Sequence, residues 1–268
     1  MPFDVAARIL ENRSLGGNYF LTTFLSPEIA EHARPGQFVM AGARDPLDLL
    51  LRRPFSVCLR GRGAGSGFET VSLLYRVTGR GTAFLSRLSV RDDAALLGPL
   101  GCGFTEPRPE EQPVIVAGGI GVAAFPFLAE ELLTAGCRPR LLYGGRTAAD
   151  LPMLDWWRAR IVALEVTTDD GSAGERGLVT EPLERLLRAH DGPARVYACG
   201  PTPMMRSVAE IAAVHGTPCE VALETPMACG YGVCVGCVVE ARTSDGAYGR
   251  YRRVCVDGPV FDAAGILW

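Results

Sequence analysis

Four cysteines near the C-terminus, Cys229, Cys234, Cys237 and Cys255, run C-x4-C-x2-C with a distant fourth, so the segment that carries them must fold around whatever their thiolates bind. The spacing is that of a plant-type 2Fe-2S cluster. Glycines at 230, 232 and 236 lie between the first three cysteines, and such a loop can curl tightly enough for backbone N–H groups to point at sulfur. The competing reading is a structural zinc site, because Cys234 and Cys237 form a C-x2-C knuckle that Cys255 could help complete. Zinc sites usually pair two such knuckles, and the chain has no second one.

A chain of 268 residues is too long for a ferredoxin-sized unit and has room for about two or three domains, so something larger precedes the cysteines. The net charge of −3 supplies no basic field for nucleic acid or anionic lipid. All the basic side chains are arginine, which excludes a Schiff-base lysine or a Walker lysine. No run reaches the ~18 apolar residues of a membrane span and the N-terminus lacks a secretory pattern, so a cytoplasmic location is expected. The cysteine count is odd, with four in metal spacing, and Cys58, Cys102, Cys137 and Cys219 read as buried or loop thiols rather than disulfide partners.

The pattern changes twice along the chain. Residues 1–105 show short alternating or apolar runs broken by Gly, Pro and Asp, which predicts a small antiparallel β-barrel. Its strands are expected at 5–10, 19–25, 38–40, 55–59, 70–77 and 94–97, with turns at 35–36 and 61–67 and one helix at 82–88 capped by Thr82. Residues 106–215 alternate buried strands (114–117, 140–143, 162–167, 195–199) with helical stretches (125–135, 183–189, 204–213), which predicts an α/β domain with a parallel sheet. Residues 216–268 form a short cysteine-rich segment whose small core would lean on its metal centre.

Glycine-rich turns then mark candidate sites. Strand 114–117 runs into Gly118, Gly119, Ile120 and Gly121 ahead of a helical stretch, a turn over which phosphates could approach the backbone, although tight turning alone also produces such glycines. Cys199, Gly200 and Pro201 end a later strand, where α/β sheets bind ligands. Arg53, Pro54, Phe55 and Ser56 place a guanidinium and a hydroxyl around a rigid turn, suited to a flavin's phosphates and ring edge, or simply to a surface arginine before a strand. Leu74, Tyr75 and Arg76 lead into a small-residue turn with Gly81 and Thr82 whose N–H groups suit a pyrophosphate.

Together, R-P-F-S at 53–56, G-R-G-T at 79–82, G-G-I-G at 118–121, C-G-P at 199–201 and the cysteine motif with its tail at 255–261 resemble the ferredoxin–NAD(P)H reductase superfamily over essentially the whole chain. Within it the order is similar to the electron transfer subunits of bacterial NAD-dependent dihydroorotate dehydrogenases. The resemblance implies FAD held by Arg53, Pro54, Phe55, Ser56, Leu74, Tyr75, Arg76, Gly81 and Thr82. It implies NAD over Gly118, Gly119 and Gly121, with Cys199, Gly200 and Pro201 near the nicotinamide, and the cluster on the four cysteines. It further implies a partner, the FMN-containing catalytic subunit, in a heterotetramer of two each, with electrons passing from FMN through the cluster and FAD to NAD in pyrimidine synthesis.

No residue of the chain itself reads as a dihydroorotate site, which suits a helper subunit. The competing functions are a related reductase subunit working between NAD(P)H and ferredoxin, or serving a sulfur or hydrogen enzyme, and more remotely a zinc-bound adaptor. Tyr231, in the cysteine loop, is expected at the docking edge. His32, His190 and His215 read as surface or cap residues, Trp156 and Trp157 as helix packing, and Ser66 lacks the setting of a nucleophile.

Overall fold

The structure is a computed structural model in which residues 1–44, 51–63, 67–161 and 163–268 are described. Ser66, Val162 and part of the turn expected at 61–67 lie outside the described residues.

The N-terminal sheet contains β1 (Phe3–Gly16), β2 (Tyr19–Leu25), β3 (Phe38–Gly42), β4 (Arg53–Ser56), β5 (Leu59–Arg62), β6 (Phe68–Arg76) and β7 (Asp93–Leu100), with α1 (Pro27–His32) and α2 (Arg80–Arg87) between strands. Alternation drives it: along β1, Ala7 and Ile9 are buried while Arg8 and Leu10 face outward. All pairings are antiparallel, in the order β4-β3-β7-β1-β2-β6-β5. The two edge strands are joined by Val57 and Cys58 alone, so the sheet has to roll into a barrel for both ends to meet there. The run expected as one strand at 55–59 is therefore two, because Val57 donates its N–H to Gln37 and Cys58 donates to Ser72, each on a different part of the barrel.

A second correction concerns α2. The helix begins two residues earlier than expected, at Arg80, and its N-cap is extended Gly79, three residues before Thr82. Thr82 sits in the first turn, where its hydroxyl accepts the N–H groups of Thr78 (2.9 Å) and Gly79 (3.1 Å) and donates to the Gly79 carbonyl. It braces the turn from inside the helix rather than capping it.

The second sheet takes β8 (Gln112–Gly118), β9 (Arg140–Gly145), β10 (Leu164–Thr168), β11 (Glu175–Arg176), β12 (Ala194–Cys199) and β13 (Cys219–Ala222), flanked by α3 (Pro126–Thr134), α4 (Leu154–Arg158), α5 (Thr180–Ala189) and α6 (Thr202–Val214). Then follow β14 (Val238–Glu240), β15 (Tyr251–Arg253) and β16 (Val260–Asp262). The sheet order is β11-β10-β9-β8-β12-β13-β16, parallel throughout except that β16 pairs antiparallel with β13. Consecutive strands run outward from β8 on one side and resume at β12 on the other, which opens a crevice at the carboxyl ends of β8 and β12.

Three clusters of buried side chains hold these pieces together. One fills the barrel with Ile9, Phe24, Leu73 and Leu96. A second joins Leu21, Cys58 and Leu74 of the barrel to Ile115, Val122 and Phe125. The third runs from Phe38 and Met40 through Val114, Val196 and Val221 to Cys237, Val254 and Cys255. The cysteine segment thus shares its core with both larger layers, and β16 stitches it into the parallel sheet. Its expected dependence on a small core of its own is corrected accordingly.

Candidate functional site

The crevice at the switch point is a cleft of about 720 Å³, lined by Gly118–Gly121, by Gly144 and Gly145 at the end of β9 and Arg146 after it, by Asp169 after β10, and by Gly200 and Pro201 after β12. The glycine turn opens a short 3-10 helix, Gly119–Ala124, before α3. Its tightness has a packing cause, because a Cβ on Gly121 would stand 2.5 Å from the Cys199 carbonyl oxygen. Tyr143 clamps the same turn, its one hydroxyl proton shared between the carbonyls of Gly119 (3.3 Å) and Pro152 (3.0 Å).

A second cleft of about 520 Å³ lies between the barrel and the α/β layer. Arg53, Pro54, Phe55, Ser56, Leu74, Tyr75, Arg76, Gly81 and Thr82 all line it, so the two barrel motifs read separately from sequence meet on one surface. The register explains the meeting: β4 and β6 are far apart in the sheet order, and closure of the barrel brings their ends together. Gly81 packs directly under Arg53, where a Cβ would lie 3.0 Å from its side chain. Thr225, which lines the same cleft, has a buried hydroxyl with no hydrogen-bond partner among the described residues.

The clefts share a wall made of Arg76, Ile120 and Glu224. Glu224 lies just after β13, exposed where it lines both clefts, and partial desolvation between their walls raises its carboxyl above the ordinary value. Arg76 pairs at 3.8 Å with Asp150, which also accepts from Tyr19 Oη at 3.4 Å, so the barrel is tied to the loop after β9 beside this wall. Cys199, expected near the nicotinamide side, lines the smaller cleft, while Gly200 and Pro201 line the larger.

The four thiols gather beside the third core cluster, Cys237 and Cys255 buried, Cys229 half-buried and Cys234 exposed. Gly230 and Gly232 hold left-handed backbone at φ +81° and +89°, and a Cβ on Gly230 would run into Met40 of the barrel. The curl turns N–H groups onto sulfur. Burial pushes the Cys229 thiol up, but the N–H groups of Cys234 and Tyr231, the Cys234 side chain and the N–H of Val233 outweigh it and bring it down to about 6. Burial and the neighbouring Cys237 thiol push Cys255 up to about 12.

The Cys255 N–H donates to Cys237 Sγ at 3.4 Å, and the Cys234 side chain reaches the Cys229 thiol. Among the described residues no three His, Cys, Asp or Glu side chains gather around a single ion. The C-x4-C-x2-C spacing with a distant fourth cysteine suits a two-iron cluster. Tyr231 and Val233, at the tip of the loop, are exposed.

Glu224, Asp150, Arg146 and Asp169 were assigned no role from sequence. The usable signal was their position just beyond strand ends, where α/β sheets bind ligands. The other expectations stand apart from the clefts. Trp157 is fully buried against Trp156, His32 bonds to the Glu28 carbonyl, His215 lies 3.4 Å from Glu184, and His190 ends α5. Of the remaining thiols Cys58 and Cys219 are buried, Cys137 is intermediate and Cys102 is exposed.

Residues 224–267 match the iron-sulfur cluster binding domain of dihydroorotate dehydrogenase B, and residues 115–210 match the oxidoreductase NAD-binding domain. Over 262 residues the chain is 35% identical to the dihydroorotate dehydrogenase B (NAD(+)) electron transfer subunit of Desulforamulus reducens, covering 98% of this chain and 97% of the relative. It is 34% identical to the corresponding homolog from Aquifex aeolicus, over the full length of both. Among solved structures, a chain of an NADH-dependent reduced ferredoxin-NADP oxidoreductase superposes with a TM-score of 0.83 at 30% identity, covering 98% of this chain and 90% of that one. A ferredoxin reductase of carbazole 1,9a-dioxygenase, at 20% identity and a TM-score of 0.67 over 81% of this chain and 67% of its own, shares the fold.

Proposed function

Since the chain belongs to the family of dihydroorotate dehydrogenase B electron transfer subunits, we propose that it carries electrons between an FMN-containing catalytic subunit and NAD in pyrimidine synthesis. The observation that carries this reading is the common wall of Arg76, Ile120 and Glu224, because a flavin in one cleft and a nicotinamide in the other would meet across it. When bound, FAD supplies two-electron exchange with nicotinamide and one-electron exchange with a 2Fe-2S cluster.

The residues divide the work. Arg53 supplies fixed guanidinium charge for the flavin's phosphates, Gly81 and Thr82 at the start of α2 offer N–H groups to the pyrophosphate, and Arg76 stands at the wall shared with the dinucleotide cleft. Pro54, Phe55, Ser56, Leu74 and Tyr75 shape the wall for the rest of the flavin. Gly118, Gly119 and Gly121 with Gly200 and Pro201 seat the dinucleotide, and Cys199 and Glu224 flank the meeting point. Cys229, Cys234, Cys237 and Cys255 hold the cluster.

On this reading 1–105 is the FAD domain, 106–215 the NAD domain and 216–268 the cluster domain. Their sheets interlock, since β13 and β16 of the last segment belong to the α/β sheet. The exposure of Tyr231 and Val233 supports a docking edge at the cluster loop, where we propose that the FMN-containing catalytic subunit binds in a heterotetramer of two each. Among the described residues no helix is long and apolar enough to cross a membrane, and we place the protein in the cytoplasm.

The test is an absorption spectrum of anaerobically purified protein before and after NADH. Flavin and iron–sulfur bands that both bleach are expected. A protein that stays colourless after reconstitution with FAD, iron and sulfide overturns the reading. The similarity to a ferredoxin-NADP oxidoreductase chain supports a second reading, a ferredoxin-linked reductase subunit. Failure of dihydroorotate to reduce the reconstituted pair of subunits would favour it.

A further inference from the structure

A cation grips the cysteine loop from the neighbouring hairpin. Arg252 and Arg253 are adjacent on β15, so their side chains leave opposite faces of the strand. Arg252 turns to the hairpin, where its guanidinium donates to the Gly249 carbonyl (2.6 Å) and to Asp245 Oδ1 (2.5 Å). Arg253 turns to the cysteine loop and donates from Nη1 to the Gly232 carbonyl at 3.1 Å. Asp257 anchors it, accepting the Arg253 N–H at 2.7 Å and standing 3.6 Å from the buried Nε. The Tyr248 ring centre lies 5.0 Å from the guanidinium carbon. With its side chain only 19% exposed, this charge is weakly screened.

The gripped carbonyl belongs to a peptide that also serves sulfur. The Gly232 carbonyl and the Val233 N–H are the two ends of one peptide group, and that N–H donates to the Cys229 sulfur while the Gly232 N–H donates to that of Cys255. A donor on the carbonyl end polarises the peptide and strengthens the bond that its N–H makes. The approach is close, since a Cβ on Gly232 would stand 3.1 Å from Arg253 Nη1. Hydrogen bonds to sulfur and the net charge around it set the potential of an iron–sulfur cluster, and reduction adds one negative charge there. We propose that Arg253 is a positioning residue that raises the cluster potential, fixing the Gly232–Val233 peptide against Cys229 and supplying positive charge beside the loop, with Asp257 offsetting part of that charge. The inference rests on the reading that Cys229, Cys234, Cys237 and Cys255 hold the cluster.

The test is a redox titration of the FAD-loaded, cluster-reconstituted full chain, followed by the electron paramagnetic resonance signal of the reduced 2Fe-2S cluster. Arg253→Gln is expected to lower the reduced-to-oxidised ratio at a given ambient potential about fivefold, a downward shift of about 40 mV at roughly 59 mV per tenfold for one electron. Asp257→Asn keeps the shape and removes the counter-charge, so it should shift the potential upward. Arg252→Gln removes an equal charge one residue away and should change the ratio by less than about twofold. Where Arg253→Gln fails to take up a cluster, Asp257→Asn decides alone, because loss of a merely structural contact would not raise the potential. An unchanged potential in Arg253→Gln, an equal fall in Arg252→Gln, or the absence of an upward shift in Asp257→Asn overturns the assignment. A wild type that shows no 2Fe-2S signal after reconstitution overturns the cluster reading, and the inference with it.

Discussion

Alanine at Gly121 tests whether the glycine turn is shaped by packing. A Cβ there would lie 2.5 Å from the Cys199 carbonyl oxygen, 2.6 Å from its carbon and 2.7 Å from the Gly200 nitrogen. All three are backbone atoms, and Cys199 is fixed in register opposite Ala117, so no side chain can swing away to make room. The ends of β8 and β12 would have to separate. Overpacking of this kind costs about 3 kcal/mol, at the upper end of its usual range, and in a chain of this size that lowers the apparent melting temperature by roughly 6–12 °C. Gly119→Ala is the control. At φ +54° the substitution carries a backbone strain of about 1 kcal/mol, but the nearest atom to its Cβ is 3.9 Å away, so a fall of only roughly 2–4 °C is expected. Differential scanning calorimetry of both variants at one scan rate and one FAD loading decides the matter. If Gly121→Ala melts within 2–4 °C of the wild type, or if Gly119→Ala melts lower, the close approach of the two strand ends does not shape the turn.

Other perturbations separate the remaining roles. Cys255→Ser should abolish the iron–sulfur absorption and lower stability while FAD stays bound in a separate cleft, and simultaneous loss of flavin would contradict that separation. Tyr231→Glu should slow electron transfer with the catalytic subunit several-fold yet leave NADH reduction of the flavin intact, as stopped-flow traces of the two steps would show. Glu111→Gln addresses a buried ion pair, in which the carboxylate accepts from Arg195 Nε at 2.8 Å and from the Arg108 N–H at 2.9 Å. Burial alone would raise the Glu111 carboxyl, but these partners outweigh it and hold it below its ordinary 4.5. Its contribution is therefore complete above the unfolded value and lost as pH falls through the folded one. The variant should be about 3 kcal/mol less stable at neutral pH, and urea denaturation should find the gap closing below pH 4.5.

The barrel and sheet strands were legible where one face is buried and alternation or an apolar run marks it, as in Tyr19–Leu25 and Gln112–Gly118. The break at Val57 and Cys58 was not, because nothing local distinguishes them. They part company only when barrel closure gives one a partner at Gln37 and the other a partner at Ser72. Thr82 carried a true helix-start signal, but its hydroxyl reaches back to Thr78 and Gly79, so the signal was displaced by three residues. The cysteine spacing could be read because a cluster binds through a local loop, whereas its burial against Met40 could not.

The clefts show the same division more sharply. Arg53–Ser56 and Gly118–Gly121 were visible because each is a short run that presents backbone or charge by itself. Glu224, Asp150 and Asp169 carry no motif, and each gains its place from which strand lies beside which. With β8 placed between β9 and β12, the chain delivers Gly119, Arg146 and Pro201 to one crevice although they are dispersed in sequence. The same order sets Asp169 beside Arg146, while β6 and the segment after β13 bring Arg76 and Glu224 to the wall between the clefts. Ligand chemistry in this chain is thus written partly in motifs and partly in strand order. The second part decides how the two clefts meet, because a shift in the β8–β12 pairing would carry Gly121 away from Cys199 and open the wall between them.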